Sequence, residues 1–205
     1  MKDTSTLFFN ERTVFELDWK NDLKFRLGTI LPSSRGQISR SLKDLSSVSI
    51  RNRFMGSKKE FSSQELEYLT NLDGWDHYAI GIEERDTPNR GVAVARLVRS
   101  QTEKHEAEVA ITVIDAYQGM GLGSLLIRLI TLAASERDLD TLTFTTLPQN
   151  SELKHLILKI GVPTVVSIAS DYEALNLDLR SIDLGVITSQ LVPFLPEIGT
   201  FGSRT

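Results

Sequence analysis

The sequence predicts an α/β domain, and three features of its 205 residues carry that expectation. The run Val109-Ala110-Ile111-Thr112-Val113-Ile114 is rich in β-branched residues and short enough to be a buried strand. Past it, Leu122, Leu125, Leu126, Leu129, Ile130 and Ala133 recur at helical spacing, which gives one apolar face to a helix reaching about residue 137. A second alternation follows: residues 141–146 alternate threonine with Leu142 and Phe144, and residues 151–160 then turn Leu153, Leu156, Ile157 and Ile160 to one side of a helix.

The other elements read in order from the amino terminus. Residues 7–9 and 13–17 are strand-like pieces around Asn10-Glu11 and form a hairpin added at an edge. Residues 25–31 are the next strand, ended by Pro32-Ser33-Ser34, and a helix continues through Leu42 and Leu45. Ser62 and Glu65 compose a capping box, in which hydroxyl and carboxylate each satisfy an orphan amide, so a short helix runs to about Asn71. Asp73-Gly74 turns into a strand at 78–82, and Thr87-Pro88-Asn89-Arg90-Gly91 joins it to a partner at 92–98. A polar loop at 100–105 leads to the strand at 108–114. Gly161 stops the helix at 151–160, and residues 165–169 and 174–179 supply two last strands. Beyond Ser181, Pro193 and Pro196 break the pattern, and 200–205 reads as a frayed end. The length suits one domain over 1–205: an added strand region at 1–24, a core at 25–180 and a tail at 181–205.

Composition narrows the function. With 40% hydrophobic and 24% charged residues the chain is that of a globular protein. A net charge of −4 and a pI near 5.5 exclude a basic field for nucleic acid, while a mildly acidic surface suits a cationic amine. No cysteine is present, which excludes disulfides, thiolate zinc sites and a cysteine nucleophile. His77, His105 and His155 do not fall at a zinc-binding spacing, so no metal is expected. No apolar run has the length of a signal or a membrane span, and a cytoplasmic protein without a membrane partner is the expectation.

The most informative stretch is Gln118-Gly119-Met120-Gly121-Leu122-Gly123, lying where the strand period changes to the helical one. The first amides of a helix have no internal acceptor, and the peptide dipoles make that end partly positive, so an anion fits there. Each bond from such an amide to a phosphate oxygen contributes about 1.5–3 kcal/mol. The alternative is a plain connecting turn, for which one left-handed glycine suffices. A dinucleotide fingerprint is excluded because its third glycine falls at Ser124, and no acidic residue ends the next strand. The P-loop pattern is absent as well.

Gln118, Gly121 and Gly123, spaced Q-x-x-G-x-G after Asp115-Ala116-Tyr117, resemble the pyrophosphate-binding motif of the GNAT acyltransferase superfamily. Leu147-Pro148-Gln149-Asn150 after the next strand, with Gly161 closing the helix, resembles that family's second motif. Ser49-Ile50-Arg51-Asn52-Arg53-Phe54, Glu65 to Thr70 and Asp73 to His77 are similar to the acetyltransferase domain of bacterial protein lysine acetyltransferases. The resemblance covers roughly residues 25–180 and implies a mixed, largely antiparallel sheet flanked by helices, with acetyl-coenzyme A wedged where strands 108–114 and 141–146 splay apart. It implies that amides from Gln118 through Gly119, Met120, Gly121, Leu122 and Gly123 to Ser124 hold the pyrophosphate. The strand backbone at Ile111 and Val113 would pair with the pantetheine arm, and Asn150 would touch it.

Acyl transfer to an amine needs the neutral nucleophile, yet roughly one lysine in a thousand is unprotonated near neutral pH. That deficit is worth about 4 kcal/mol, and a general base recovers part of it. Glu108 opens the strand before the cradle and matches the residue regarded as the base in similar lysine acetyltransferases; Glu106 takes its place if the register slips by two. A strand-end acid in water is the alternative for Glu108 and a simple N-cap the alternative for Asn150, while Arg51 and Arg53 either order the substrate side or are solvated charges. Many GNAT enzymes assist the departing thiolate with a tyrosine at the position of Ile157. The resemblance thus implies an acetyl-coenzyme A dependent N-acetyltransferase acting on a protein lysine; a small-amine acetyltransferase and a non-catalytic acyl-coenzyme A sensor are the alternatives.

Overall fold

The computed structural model describes residues 2–87, 89–161, 164–168 and 171–202. Its strands are β1 (Val14–Asp18), β2 (Lys24–Thr29), β3 (His77–Glu84), β4 (Gly91–Arg99), β5 (Glu106–Val113), β6 (Thr141–Thr146), β7 (Thr164–Ile168) and β8 (Glu173–Asp178). Its α-helices are α1 (Arg35–Ser41), α2 (Ser47–Phe54), α3 (Ser63–Thr70), α4 (Leu122–Ser135), α5 (Ser151–Leu158) and α6 (Leu184–Leu191). The strands form one sheet in the order β1-β2-β3-β4-β5-β6-β8-β7. Every neighbouring pair is antiparallel except β5 and β6, so the sheet is mixed and largely antiparallel, as the sequence predicts.

That parallel pair sets the position of the site. Only Glu106, Ala107 and Glu108 of β5 pair with β6, opposite Thr141, Leu142 and Thr143. Beyond Glu108, β5 stays with β4 while β6 continues with β8, so the two strands diverge and leave a wedge. The period of two turns buried Ala107 and Val109 to one face of β5 and Glu108, Ala110 and Thr112 to the other. Helix α4, nearly all of it buried, packs in the core with the first set. Helix α2 reaches the second through the Arg53 Nε to Thr112 Oγ1 bond of 3.1 Å.

Two expectations are corrected. Residues 7–9 form no strand, because their backbone groups are satisfied by side chains at the end of α4. The Phe8 and Phe9 amides donate to the Glu136 carboxylate at 2.7 and 3.0 Å, and the Phe9 carbonyl accepts from Arg137 Nη2 at 2.7 Å. The hairpin that does form joins β1 to β2. The tail, in turn, is not a broken extension. Asp183 Oδ1 accepts from Gly185 N at 2.8 Å and starts α6, and Ile187, Leu191, Leu195 and Ile198 are buried at helical spacing despite the prolines. Phe201 packs its ring 5.7 Å from Phe8, so fraying does not begin at residue 200. Ala169, Pro88 and residues 203–205, which the sequence assigned to a strand, a turn and the frayed end, lie outside the described residues. Among the described residues no helix is long and apolar enough to cross a membrane.

Candidate active site

The cradle is built by two glycines in the left-handed region. Gly119 has φ +71° and Gly121 φ +96°, angles that an L side chain rarely adopts. Gly121 then serves as N-cap of α4, whose first bond runs from Leu125 N to the Gly121 carbonyl at 3.1 Å. The amides of residues 119–124 consequently find no acceptor among the described residues. Gly123 has a different reason to be glycine: a Cβ there would lie 2.9 Å from Leu156 Cδ2, so the small residue lets α5 pack against α4.

Gln118 is not one of the free donors. Its amide donates to the Asp115 carbonyl at 3.2 Å, and its side chain donates to the Val113 carbonyl at 3.0 Å and Ser49 Oγ at 3.1 Å. It therefore braces the loop against β5 and α2. The Met120 side chain packs against the core and its carbonyl accepts from Trp19 Nε1 at 3.1 Å. Ser124 uses its hydroxyl to accept from Arg128, leaving its amide likewise free.

A cleft of 840 Å³ opens between the diverging strands. It brings together Glu108, Ile111, Val113, Gln118, Gly119, Gly121, Leu122, Gly123, Ser124 and Asn150. Glu106 and Met120 lie outside its lining. Asn150 is the N-cap of α5, accepting from Leu153 N at 3.3 Å, and it also faces the cleft. Ile157, where many GNAT enzymes place a tyrosine, is fully buried in the core.

Sequence reasoning left Arg53 between ordering the substrate side and a solvated charge, and the structure puts it in the lining of this cleft. Helix α2 is pinned at its start by the Ser46 amide donating to Asp115 Oδ1 at 3.2 Å. Burial disfavours the Asp115 charge, but hydrogen bonds from Ser46 and Ser49 outweigh it and hold the carboxyl below its ordinary range. At the other end of α2, burial pushes the Arg53 guanidinium below its ordinary value, and the charge of Glu108 opposes that shift. The sequence signal available was Ser46 three residues before Ser49, an N-cap pattern that fixes where α2 starts and hence that Arg53 falls in its last turn.

Behind Arg53 lies Arg96, buried and pushed down to about 10 by burial and by the Arg53 charge. It donates to the Leu69 carbonyl at 2.6 Å and to His77 Nε2. Because that donor is an arginine, His77 accepts and is neutral; burial and then Arg96 push its pKa down to about 4. The unfolded histidine titrates near 6.5, so between pH 6.5 and about 4 the unfolded state binds the extra proton. Stability is thus expected to fall as pH drops through that window. Thermal unfolding at pH 7 and 5 checks it, and His77→Gln should flatten the difference.

Comparison with known proteins adds the family. The model of the Acetyltransferase (GNAT) family matches residues 47–162. Acetyltransferase Pat of Mycolicibacterium smegmatis is 29% identical over 177 residues, which are 85% of this chain and 49% of that protein. The chain therefore spans about half the length of that curated relative. The GNAT domain of S. lividans PAT superposes with a TM-score of 0.73 at 22% identity, over 80% of this chain and 96% of its own. The protein yncA of Salmonella typhimurium, solved with its cofactor acetyl-coenzyme A, gives a TM-score of 0.62 at 15% identity, over 77% of this chain and 95% of its own.

Proposed function

Since the chain belongs to the GNAT acetyltransferase family, we propose that it transfers the acetyl group of acetyl-coenzyme A to a protein lysine, with Glu108 as general base and residues 25–180 as the catalytic core of one domain. The observation that carries this reading is the set of unpartnered amides at residue 119 and residues 121–124, which line a wedge with Glu108 at its apex. The amides grip the pyrophosphate, and the pantetheine arm lies along the edge of β5 at Ile111 and Val113, an edge released by the departure of β6. The thioester then rests near Glu108. Glu108 takes a proton from the incoming ammonium, the freed amine attacks the thioester carbon, and the tetrahedral adduct collapses with cleavage of the carbon–sulfur bond. The attacking nitrogen sheds its second proton as the adduct collapses, and the thiolate takes that proton by way of water, since position 157 offers only an alkyl group to the core. The preference for a protein lysine draws on the similarity to Pat.

Incubation with acetyl-coenzyme A and either lysate proteins or small amines tests the acceptor, with thiol release and acetyl-lysine read together. Acetyl-lysine accumulating with thiol supports the reading; thiol release with small amines alone overturns it. The cradle has its own test. Gly121→Glu sets a carboxylate among the amides and strains a residue at φ +96°, so calorimetry should show coenzyme A binding weakened at least tenfold. Unchanged affinity would remove the cradle from the account.

A further inference from the structure

The Met120–Gly121 peptide is held from outside the cleft. Trp19 Nε1 donates to the Met120 carbonyl at 3.1 Å, and the indole lies against Gly121, where a Cβ would come 3.4 Å from Trp19 Cζ2. Among the described residues no peptide bond is cis, and in a trans peptide the carbonyl and the next N–H point in opposite directions. The bond that draws the Met120 oxygen toward Trp19 therefore turns the Gly121 N–H away from it. That N–H has no acceptor among the described residues, and Gly121 lines the cleft. The indole itself is fixed at the tip of the β1–β2 hairpin. Trp19 N donates to the Leu23 carbonyl at 2.7 Å and closes the turn, and Phe194, just past α6, packs its ring 5.0 Å from the indole. Both aromatic residues come from outside residues 25–180.

We propose that Trp19 is a positioning residue for the acyl-coenzyme A donor: its indole N–H fixes the Met120–Gly121 peptide so that the Gly121 amide, rather than the Met120 carbonyl, meets the pyrophosphate. The inference rests on the donor position proposed above. This peptide needs a restraint, because a plane next to a glycine turns over readily. Changing ψ of Met120 and φ of Gly121 together reverses it with little effect on the chain path, the same reversal that separates type I from type II turns. Glycine takes φ of either sign at little cost, so the +96° of Gly121 is one of two accessible orientations. The reversed plane would present a carbonyl oxygen to a diphosphate, and a charge-assisted hydrogen bond would give way to repulsion. Trp19 is absent from the lining of the cleft, so it acts through Gly121 and not by touching the donor. The hairpin tip and the tail, through Trp19 and Phe194, thereby become parts of the donor site.

Trp19→Phe keeps a ring for Phe194 to pack on and removes the N–H. Calorimetry is expected to show coenzyme A bound about tenfold more weakly, the loss of one charge-assisted bond from the cradle. The KM for acetyl-coenzyme A should rise to match, with kcat at saturation within about twofold of the parent. A merely structural loss would lower the active fraction, and so kcat, without moving the KM. The bond can also be read in an enzyme that keeps it. Trp19 and Trp75 are the two tryptophans of the chain, so in Trp75→Phe the remaining indole N–H resonance is that of Trp19. Coupling is reciprocal: a bond that favours the donor is favoured by it to the same extent, and coenzyme A should slow hydrogen exchange of this N–H about tenfold. That measurement decides the matter if Trp19→Phe does not fold. Parental affinity in Trp19→Phe overturns the positioning role alone, as does a fall in kcat with the KM unchanged, or an exchange rate that bound coenzyme A leaves unaltered. Absence of coenzyme A binding by the parent enzyme overturns the cradle and the positioning role together.

Discussion

Glu108→Gln is expected to lower the rate of acetyl transfer by about 10²- to 10⁴-fold, the usual contribution of a general base, while acetyl-coenzyme A affinity stays within about twofold. The carboxamide has the size of the carboxylate and leaves the register opposite Val98 and Thr143 intact. It cannot take a proton from an ammonium ion, so the roughly 4 kcal/mol needed to deprotonate a lysine near neutral pH is no longer offset at the site of attack. The control is Glu106→Gln. That residue lies outside the cleft, and its replacement should change the rate by less than about twofold. Initial rates of thiol release for the two variants decide the matter: a fully active Glu108→Gln enzyme removes the base from the mechanism.

Much of the site was legible because it depends on short-range physics. The glycine loop announces itself through a change of period on either side, and the angles of Gly119 and Gly121 follow from local sterics. The capping box at Ser62 and Glu65 was equally local, and both of its bonds form. What was missed depends on partners far along the chain. Nothing near Phe8 and Phe9 says that a carboxylate 127 and 128 residues later will satisfy their amides in place of a strand. Gln118 shows the limit of a motif: its place in the sequence pattern suggested a phosphate donor, but Asp115 takes its amide and α2 takes its side chain. Arg53 could be placed in the last turn of a helix, whereas its approach to Thr112 and Glu108 needed the packing of α2 on β5.

The second large effect is expected in stability, at Arg137. This side chain is fully buried and donates to three carbonyls: Gly74 at 2.9 Å, Ala133 at 2.6 Å and Phe9 at 2.7 Å. Its guanidinium also stacks 4.0 Å from the centre of the Tyr78 ring. Burial pushes the Tyr78 hydroxyl up to about 12, with the Arg137 charge opposing, so the ring stays neutral beneath the cation. One residue thus ties the end of α4 to the amino-terminal segment and to the turn before β3. Arg137→Met keeps most of the volume but leaves three carbonyls without their donor, each costing about 1–3 kcal/mol when buried. Relief from desolvating the cation offsets part of this, and the net loss is expected near 3–5 kcal/mol, a large share of a typical domain's stability. Lysine should not rescue it, because a single ammonium on a flexible stem cannot serve three acceptors arranged around a planar fork. Urea unfolding followed by circular dichroism measures the change, and a midpoint shift equivalent to less than about 1 kcal/mol would show that the carbonyls find other donors. The folded fraction of Arg137→Met should retain the normal rate per active molecule, whereas Glu108→Gln should unfold like the parent and turn over slowly. The opposite signatures of these two variants separate what holds α4 and its cradle in place from what moves the proton.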